Sequence, residues 1–182
     1  MSTLEVNSIQ PLSSGSTITL GASGKTLSIP SGCTITNSGT ATGFGKVGQI
    51  VQANTTTEVS NTTTSYADTG LTASITPTST SSKILVTVHQ NGARSQSDQN
   101  NNCIYLKLLR DSTDISQIFV YALYTGSGID LYGASLSTSF LDSPSTTSAT
   151  TYKTQFKNFV SGGHVRLQDT AAMSTITLME IL

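Results

Sequence analysis

The chain has 182 residues, of which 36% are hydrophobic and only 10% are charged, and its net charge is −1. The charges lie singly along the chain, so it has no clustered patch of the kind that binds nucleic acid or an anionic membrane surface. Serine and threonine are abundant and helix-favouring residues are few, which predicts an all-β fold. We expect neither a signal peptide nor a membrane span, because no basic region precedes an apolar run and no apolar run is long enough.

The first 39 residues contain an extended arm followed by a repeat. Residues 1–12 carry scattered apolar side chains and predict an arm that docks on a partner or swaps onto a neighbouring subunit. Residues 14–39 hold three near-repeats, each beginning with Ser-Gly and continuing as an alternation of aliphatic and hydroxyl side chains. Glycine permits a tight corner, and alternation with a period of two predicts a short strand with one apolar face. The large aliphatic residues on these faces are Ile18, Leu20, Leu27, Ile29 and Ile35.

This repetitive segment has too little apolar surface to fold alone. Its five aliphatic side chains offer about 7–15 kcal/mol if fully buried, whereas fixing the backbone costs about 1–2 kcal/mol per residue. Repeats of this kind become stable when a neighbouring copy covers the exposed face. We therefore predict a trimeric β-prism or β-helix shaft with these five residues as its core. The alternative is that the strands lie against the C-terminal domain of the same chain.

A glycine-rich stretch after the repeats predicts a domain boundary. It divides the chain into residues 1–45, the arm and shaft, and residues 46–182, the head. In the head, turn residues separate nine predicted strands, at residues 50–53, 71–75, 84–89, 103–109, 115–124, 131–140, 151–159, 164–167 and 175–182. Eight or nine strands without helices favour two packed antiparallel sheets, a β-sandwich of jelly-roll type.

Residues suited to catalysis or metal binding are few and scattered. His89 and His164 show no paired spacing, and Cys33 and Cys103 match no metal or redox motif, so we expect two buried free thiols. A three-fold axis that gathers three copies of one histidine is the alternative to a structural role. The aspartates lie mostly in predicted turns, where a carboxylate usually bonds the backbone. We therefore predict no catalytic residues, no metal and no cofactor, and hence no enzyme.

Two polar stretches, residues 92–102 and 143–150, are predicted to be surface loops, and three tyrosines flank a glycine turn near residue 126. Binding residues concentrate on loops that a rigid scaffold holds, and tyrosine is favoured at contact surfaces. The candidate contact residues are Arg94, Gln96, Asp98, Asn101, Tyr124 and Tyr132. The alternatives are plain solvated loops and, for the tyrosines, core packing with the hydroxyl at the rim.

Several segments carry a resemblance to a known group of proteins. They are the opening MSTLEVNSIQ, the repeat elements STITLG and IPSG, the stretch ITPTSTSSKILV, the tetrapeptide LDSP and the ending ITLMEI. These segments resemble small tail-fibre-like virion proteins of marine and cyanobacterial phages. The resemblance implies a homotrimeric, non-enzymatic virion component, assembled in the host cytoplasm, with an N-terminal attachment segment, a short β shaft and a β-sandwich head.

The sequence thus predicts a phage tail fibre or appendage, whose N-terminal arm binds other virion proteins and whose head contacts a host-surface glycan or protein. The chain is short for a reaching fibre, so a capsid cement or decoration protein that clamps neighbouring capsid subunits is the alternative. A polysaccharide-degrading spike is a third option, and it needs an acidic pair in a groove. We expect no nucleic-acid partner and no membrane insertion.

Overall fold

The computed structural model describes residues 31–32, 47–97, 100–126, 128–133 and 135–182. All of these except Ser31 and Gly32 belong to one compact unit, Gly45–Leu182. The predicted shaft core lies outside the described residues, at Ile18, Leu20, Leu27, Ile29 and Ile35. The trimeric shaft and the domain boundary therefore stay predictions.

The described residues form twelve β-strands and one turn of 3₁₀ helix at Asp169–Ala171, which confirms the all-β prediction. The strands are β1 (Val47–Thr55), β2 (Val59–Asn61), β3 (Ala67–Ile75), β4 (Lys83–Asn91), β5 (Arg94–Ser97), β6 (Asn102–Arg110), β7 (Thr113–Thr125), β8 (Ile129–Tyr132), β9 (Ser135–Asp142), β10 (Thr150–Asn158), β11 (His164–Leu167) and β12 (Ser174–Ile181).

The strands form three antiparallel sheets of four strands each. Sheet A has the order β1-β12-β4-β9, sheet B the order β2-β11-β5-β8 and sheet C the order β3-β10-β6-β7. Sheets A and B match position by position, because β1 leads into β2, β4 into β5, β8 into β9 and β11 into β12. Sheet B therefore extends sheet A along the axes of its strands. A break in each of these four long strands separates the two sheets.

This break corrects the prediction of two sheets. Gly92 lies between β4 and β5 with a φ of 60°, a conformation that interrupts an extended strand and that glycine adopts without strain. Gly133 lies at the equivalent break between β8 and β9. Residues 131–140, predicted as one strand, are consequently two strands in different sheets.

The core lies between sheet C and the other two sheets. Alternate residues of β4, namely Ile84, Val86 and Val88, are fully buried and pack with Leu108 and Tyr152 of sheet C. A second cluster joins Val165 and Leu167 of sheet B to side chains of β6 and β10. Because each strand buries one apolar face against the opposite layer, the arrangement is consistent with a β-sandwich.

The prediction of a loop over residues 92–102 is wrong for five of them, since Arg94–Ser97 is strand β5 and Asn102 begins strand β6. The sequence of β5, RSQS, has no apolar alternation, so nothing in the side chains predicts a strand. The strand forms because β11 and β8 flank it on both sides and pair with its backbone. The stretch between Asp142 and Thr150 does connect two strands without regular structure, as predicted.

A fully buried carboxylate, Glu180 of β12, fixes the connection between β3 and β4. Its Oε1 accepts hydrogen bonds from the backbone N–H and the hydroxyl of Thr78, at 2.6 and 2.8 Å, and its Oε2 accepts one from Gln49 at 2.8 Å. Burial by itself raises the pKa of Glu180, but these donors stabilise the anion and lower the pKa to about 2 from 4.5.

Replacing Glu180 by glutamine is expected to lower the free energy of unfolding at pH 7 by about 1.5–3 kcal/mol, because charged acceptors form the stronger hydrogen bonds. A lowered pKa stabilises the fold above the unfolded value near 4.5, and this contribution disappears as the pH falls through about 2. The difference between wild type and Glu180→Gln should therefore shrink from pH 4.5 to 2. Urea unfolding at pH 7, 4.5 and 2 measures it, and a constant difference contradicts the assignment.

Candidate functional site

The structure brings the predicted contact residues together in two pairs. Arg94 and Tyr132 are direct neighbours across β5 and β8, and the guanidinium carbon lies 4.5 Å from the centre of the tyrosine ring. Tyr124 donates a hydrogen bond from its hydroxyl to the side-chain oxygen of Asn101. Gln96 lies further along β5, and Asp98 lies outside the described residues.

Tyr124 belongs to a cluster of aromatic rings on sheet C, which we call the ring cluster and define as Tyr105, Tyr121, Tyr124 and Phe159. Tyr121 makes edge-to-face contacts with Tyr105 and Phe159, each with the ring centres 5.2 Å apart, and with Tyr124 at 6.4 Å. Tyr105 and Phe159 stack at 5.6 Å. Since Tyr121 and Tyr124 are each 52% exposed, the cluster offers apolar ring surface to a partner.

The irregular backbone of β7 presents two of these rings. Tyr121 and Leu123 have φ angles of 59° and 52°, in the left-handed region that non-glycine residues rarely adopt. The pairing of β7 with β6 shifts register at four places, so side chains depart from simple alternation. Left-handed backbone of this kind costs about 1–3 kcal/mol per residue and is concentrated at functional sites. The strain therefore marks this end of β7 as a candidate contact region.

Two lysines extend the ring cluster across the same sheet. The ammonium group of Lys157 lies 5.1 Å from the ring centre of Tyr66 and 5.2 Å from that of Tyr105. The ammonium of Lys107 lies 4.1 Å from the ring centre of Tyr66 and bonds the Asp114 carboxylate at 2.8 Å. These cation–π contacts hold the aromatic side chains in fixed positions. A surface of prearranged rings loses little side-chain entropy when it binds a partner.

The hydroxyl of Tyr105 stays protonated over the whole working pH range. Burial raises its pKa, and the hydrogen bond with Tyr121 raises it further, because both effects disfavour a phenolate. The hydroxyl of Tyr105 is therefore neutral, and a neutral hydroxyl both donates and accepts hydrogen bonds. This property suits contacts with uncharged polar partners.

The remaining candidate reactive side chains are the cysteines and the histidines. Cys103 is buried and free, as predicted, and burial raises its pKa to about 11, which keeps it an unreactive thiol. Cys33 lies outside the described residues. His89 is on sheet A, where its Nδ1 lies 3.0 Å from the hydroxyl of Ser137, and His164 is on sheet B. The pKa of His164 is lowered by burial and then by Arg166 and Arg94.

In the part of the chain that the structure describes, no three or more histidine, cysteine or acidic side chains are placed to hold a metal ion. No helix among the described residues has the length and apolar character needed to cross a membrane. No protein-family model matches the chain, and no curated protein matches it either.

Sequence reasoning identified part of the ring cluster. Tyr124 was a candidate because it precedes a glycine turn, and Tyr121 shares that segment. Tyr105 and Phe159 were missed, since they lie on β6 and just beyond β10 and come close to Tyr121 only when those strands pair. The signal along the chain was the pair of tyrosines before the glycine turn, at 121 and 124.

Proposed function

We propose that this protein is a homotrimeric structural protein of a bacteriophage virion, a tail fibre or appendage. In this proposal residues 1–45 attach it to other virion proteins and form the β shaft, and residues 46–182 form a head that contacts the host surface. The observation that carries the proposal is the ring cluster, because exposed and rigidly held aromatic rings are typical of recognition surfaces. The resemblance to tail-fibre-like virion proteins supports the same function.

The strand order supports a jelly-roll head. When sheets A and B are taken as one layer, eight strands make two four-stranded layers, and chain neighbours alternate between the layers except at the β6–β7 hairpin within sheet C. Jelly rolls consist of two sheets and eight strands, and viral capsid proteins and lectins use them. A virion component with a binding head fits this architecture.

An apolar row on the outward face of sheet A supports self-association. Ile50, Met179, Leu85 and Leu141 are direct partners across all four strands of sheet A. Ile50 and Leu141 are 58% and 50% exposed. The next row along the strands is polar, and it consists of Gln52, Thr177, Thr87 and Ser139.

Labelling the head and imaging intact particles tests the location. We expect the label on the tail or on an appendage. Label on the capsid faces instead would favour the cement or decoration protein, with the apolar row as its clamp on capsid subunits. Label on neither would overturn the virion role.

Replacing Tyr121 by alanine together with Phe159 by alanine is expected to weaken host contact. Aromatic residues at the centre of an interface commonly contribute more than 1 kcal/mol each, so the affinity should fall about tenfold or more. The assay measures how strongly the purified protein competes with phage for adsorption to host cells. Gln117→Ala is the matched control, since Gln117 is an exposed residue of the same strand. If the wild type, the double variant and the control compete equally, the ring cluster is not part of the contact surface.

A further inference from the structure

A concave surface lies where sheet A passes into sheet B, away from the ring cluster, and we call it the seam cleft. Its walls come from three of the breaks between the sheets, those of β4–β5, β8–β9 and β11–β12. The cleft has a volume of about 400 Å³, within the range of about 300–1,000 Å³ that is usual for small-ligand sites. The lining residues that matter here are Asn91, Gly92, Tyr132, Asp169, Thr170 and Met173.

The backbone around the seam cleft is held in an unusual conformation. Gln168, Thr170 and Ala171 have φ angles of 56°, 56° and 59°, and each costs about 1–3 kcal/mol for a non-glycine residue. At Gly92 a Cβ atom would lie 2.5 Å from the backbone nitrogen of Asp169, so only glycine fits. The carbonyl of Gly92 accepts a hydrogen bond from that nitrogen at 3.1 Å. These contacts fix the position of Asp169 at the wall.

One wall of the cleft is an aromatic ring with a fixed orientation. Tyr132 is 68% exposed, the highest exposure of any large hydrophobic side chain among the described residues. The guanidinium of Arg94 packs on its ring at 4.5 Å, and Asp130 holds the guanidinium through a hydrogen bond of 2.7 Å. Since the ring is held by neighbours, stacking a ligand on it costs little entropy.

Polar groups stand beside this ring. The Asp169 side chain is 11% exposed, and its Oδ2 lies 3.7 Å from Arg94, too far for a hydrogen bond. That carboxylate oxygen therefore keeps capacity to accept hydrogen bonds from a ligand. Asn91 donates from its amide to the carbonyl of Met173 at 2.6 Å, which holds the amide at the rim of the cleft.

From this arrangement we propose that the seam cleft binds a neutral pyranose unit of a saccharide, with the sugar ring stacked on Tyr132 and its hydroxyls donating to the Asp169 carboxylate. Around Arg94, the carboxylates of Asp130 and Asp169 lie within ion-pair distance, and its cross-strand partner Arg166 is paired with Glu58, which gives three carboxylates against two guanidinium groups. The negative excess disfavours an acidic sugar and suits a donor-rich neutral one. The inference rests on the proposed function, for which it names the class of host molecule and a site separate from the ring cluster.

Titrating the isotopically labelled full chain with neutral methyl glycosides tests the site, with amide chemical shifts as the readout. We expect shifts at Gly92, Gly133 and Asp169, and a dissociation constant at least about tenfold weaker in Tyr132→Ala. Tyr132→Phe should keep the binding, because it keeps the ring. Gln117→Ala, at an exposed residue of sheet C outside the ring cluster, is the control and should bind as wild type does. Unchanged thermal melting shows that each variant is folded.

Three outcomes would overturn the seam cleft as a neutral-saccharide site. They are no response to any neutral glycoside, equal binding by Tyr132→Ala, and a preference for a uronic acid or an amino sugar over the neutral panel. Particle imaging is independent of these titrations. Label on an appendage without saccharide binding would remove this inference alone, whereas label on the capsid would remove the proposed function.

Discussion

A lysine in place of Leu141 is expected to make the proposed trimer dissociate at protein concentrations where the wild type stays associated. Leu141 ends the apolar row of sheet A, directly opposite Leu85, and is 50% exposed in the single chain. If neighbouring copies cover the row, the substitution places an ammonium group in an apolar contact, and removing that charge from water costs several kcal/mol. Each trimer carries the change three times, so the concentration for half-dissociation should rise by far more than tenfold.

Ser139→Lys is the matched control. Ser139 is exposed on the same strand and the same face, one polar row away, and its hydroxyl lies 3.3 Å from that of Thr87. Analytical ultracentrifugation over a range of concentrations compares the three proteins, and the control should sediment as the wild type does. If Leu141→Lys stays a trimer at every concentration, the trimer depends on residues 14–39 and not on the apolar row. A wild type that sediments as a single folded chain would overturn the trimer itself.

Replacing Asp142 by alanine is expected to lower the free energy of unfolding by about 3–5 kcal/mol. Asp142 ends β9 on its inward side, where both carboxylate oxygens accept hydrogen bonds from Arg110 at 2.9 Å. Its Oδ2 also accepts a hydrogen bond of 2.7 Å from Tyr152, whose ring is fully buried in the core. The carboxylate thus joins sheet A to two strands of sheet C. Its removal leaves a buried hydroxyl and a partly buried guanidinium without their acceptor.

The pKa of Tyr152 reflects the same environment. Burial raises it first and the Asp142 carboxylate raises it further, so both effects keep the phenol protonated as a hydrogen-bond donor. Asp142→Asn keeps one oxygen acceptor and should cost less than Asp142→Ala. Comparing the free energies of unfolding of these two variants separates the effect of the lost hydrogen bonds from the effect of the lost side-chain volume.

Asp68→Ala provides the control for Asp142. The Asp68 carboxylate also accepts from one cation and one neutral donor, Lys153 at 3.0 Å and Gln155 at 2.7 Å, but its side chain is 56% exposed. An exposed ion pair contributes about 0–1 kcal/mol, so this variant should unfold close to the wild type. Urea unfolding at pH 7 measures all three variants. Similar small losses for Asp68 and Asp142 would contradict the role of burial.

Local sequence patterns predicted most of the strands that bury one face in the core, but not β2, whose Val59 packs against the second core cluster. The alternation of Ile84, Val86 and Val88 with more polar residues marks β4, and the structure buries all three. Strand β5 shows where the pattern fails. Arg94 and Gln96 have no apolar neighbours to reveal a strand, and β5 exists because β8 and β11 supply its backbone partners. Nothing within those residues encodes that pairing.

The candidate sites depend still more on pairing between distant strands. Arg94 and Tyr132 were both predicted as contact residues, but only the register of β5 against β8 places one on the other. The ring cluster needs three strands in register, and the apolar row needs four. A single-residue slip would turn each of these side chains to the opposite face of its sheet. The sequence therefore identified several of these residues but not the residues that they contact.

The sequence by itself determined that this protein is all-β, that its charges are sparse and scattered, and that most of its strands lie where apolar residues alternate, because composition and period are local properties. Tertiary structure alone decided that four long strands break into two sheets, that β5 is a strand, and which exposed side chains share a surface. Those features depend on backbone pairing and register between residues far apart in the chain, and the free energy of such pairing belongs to the assembled sheets rather than to any segment.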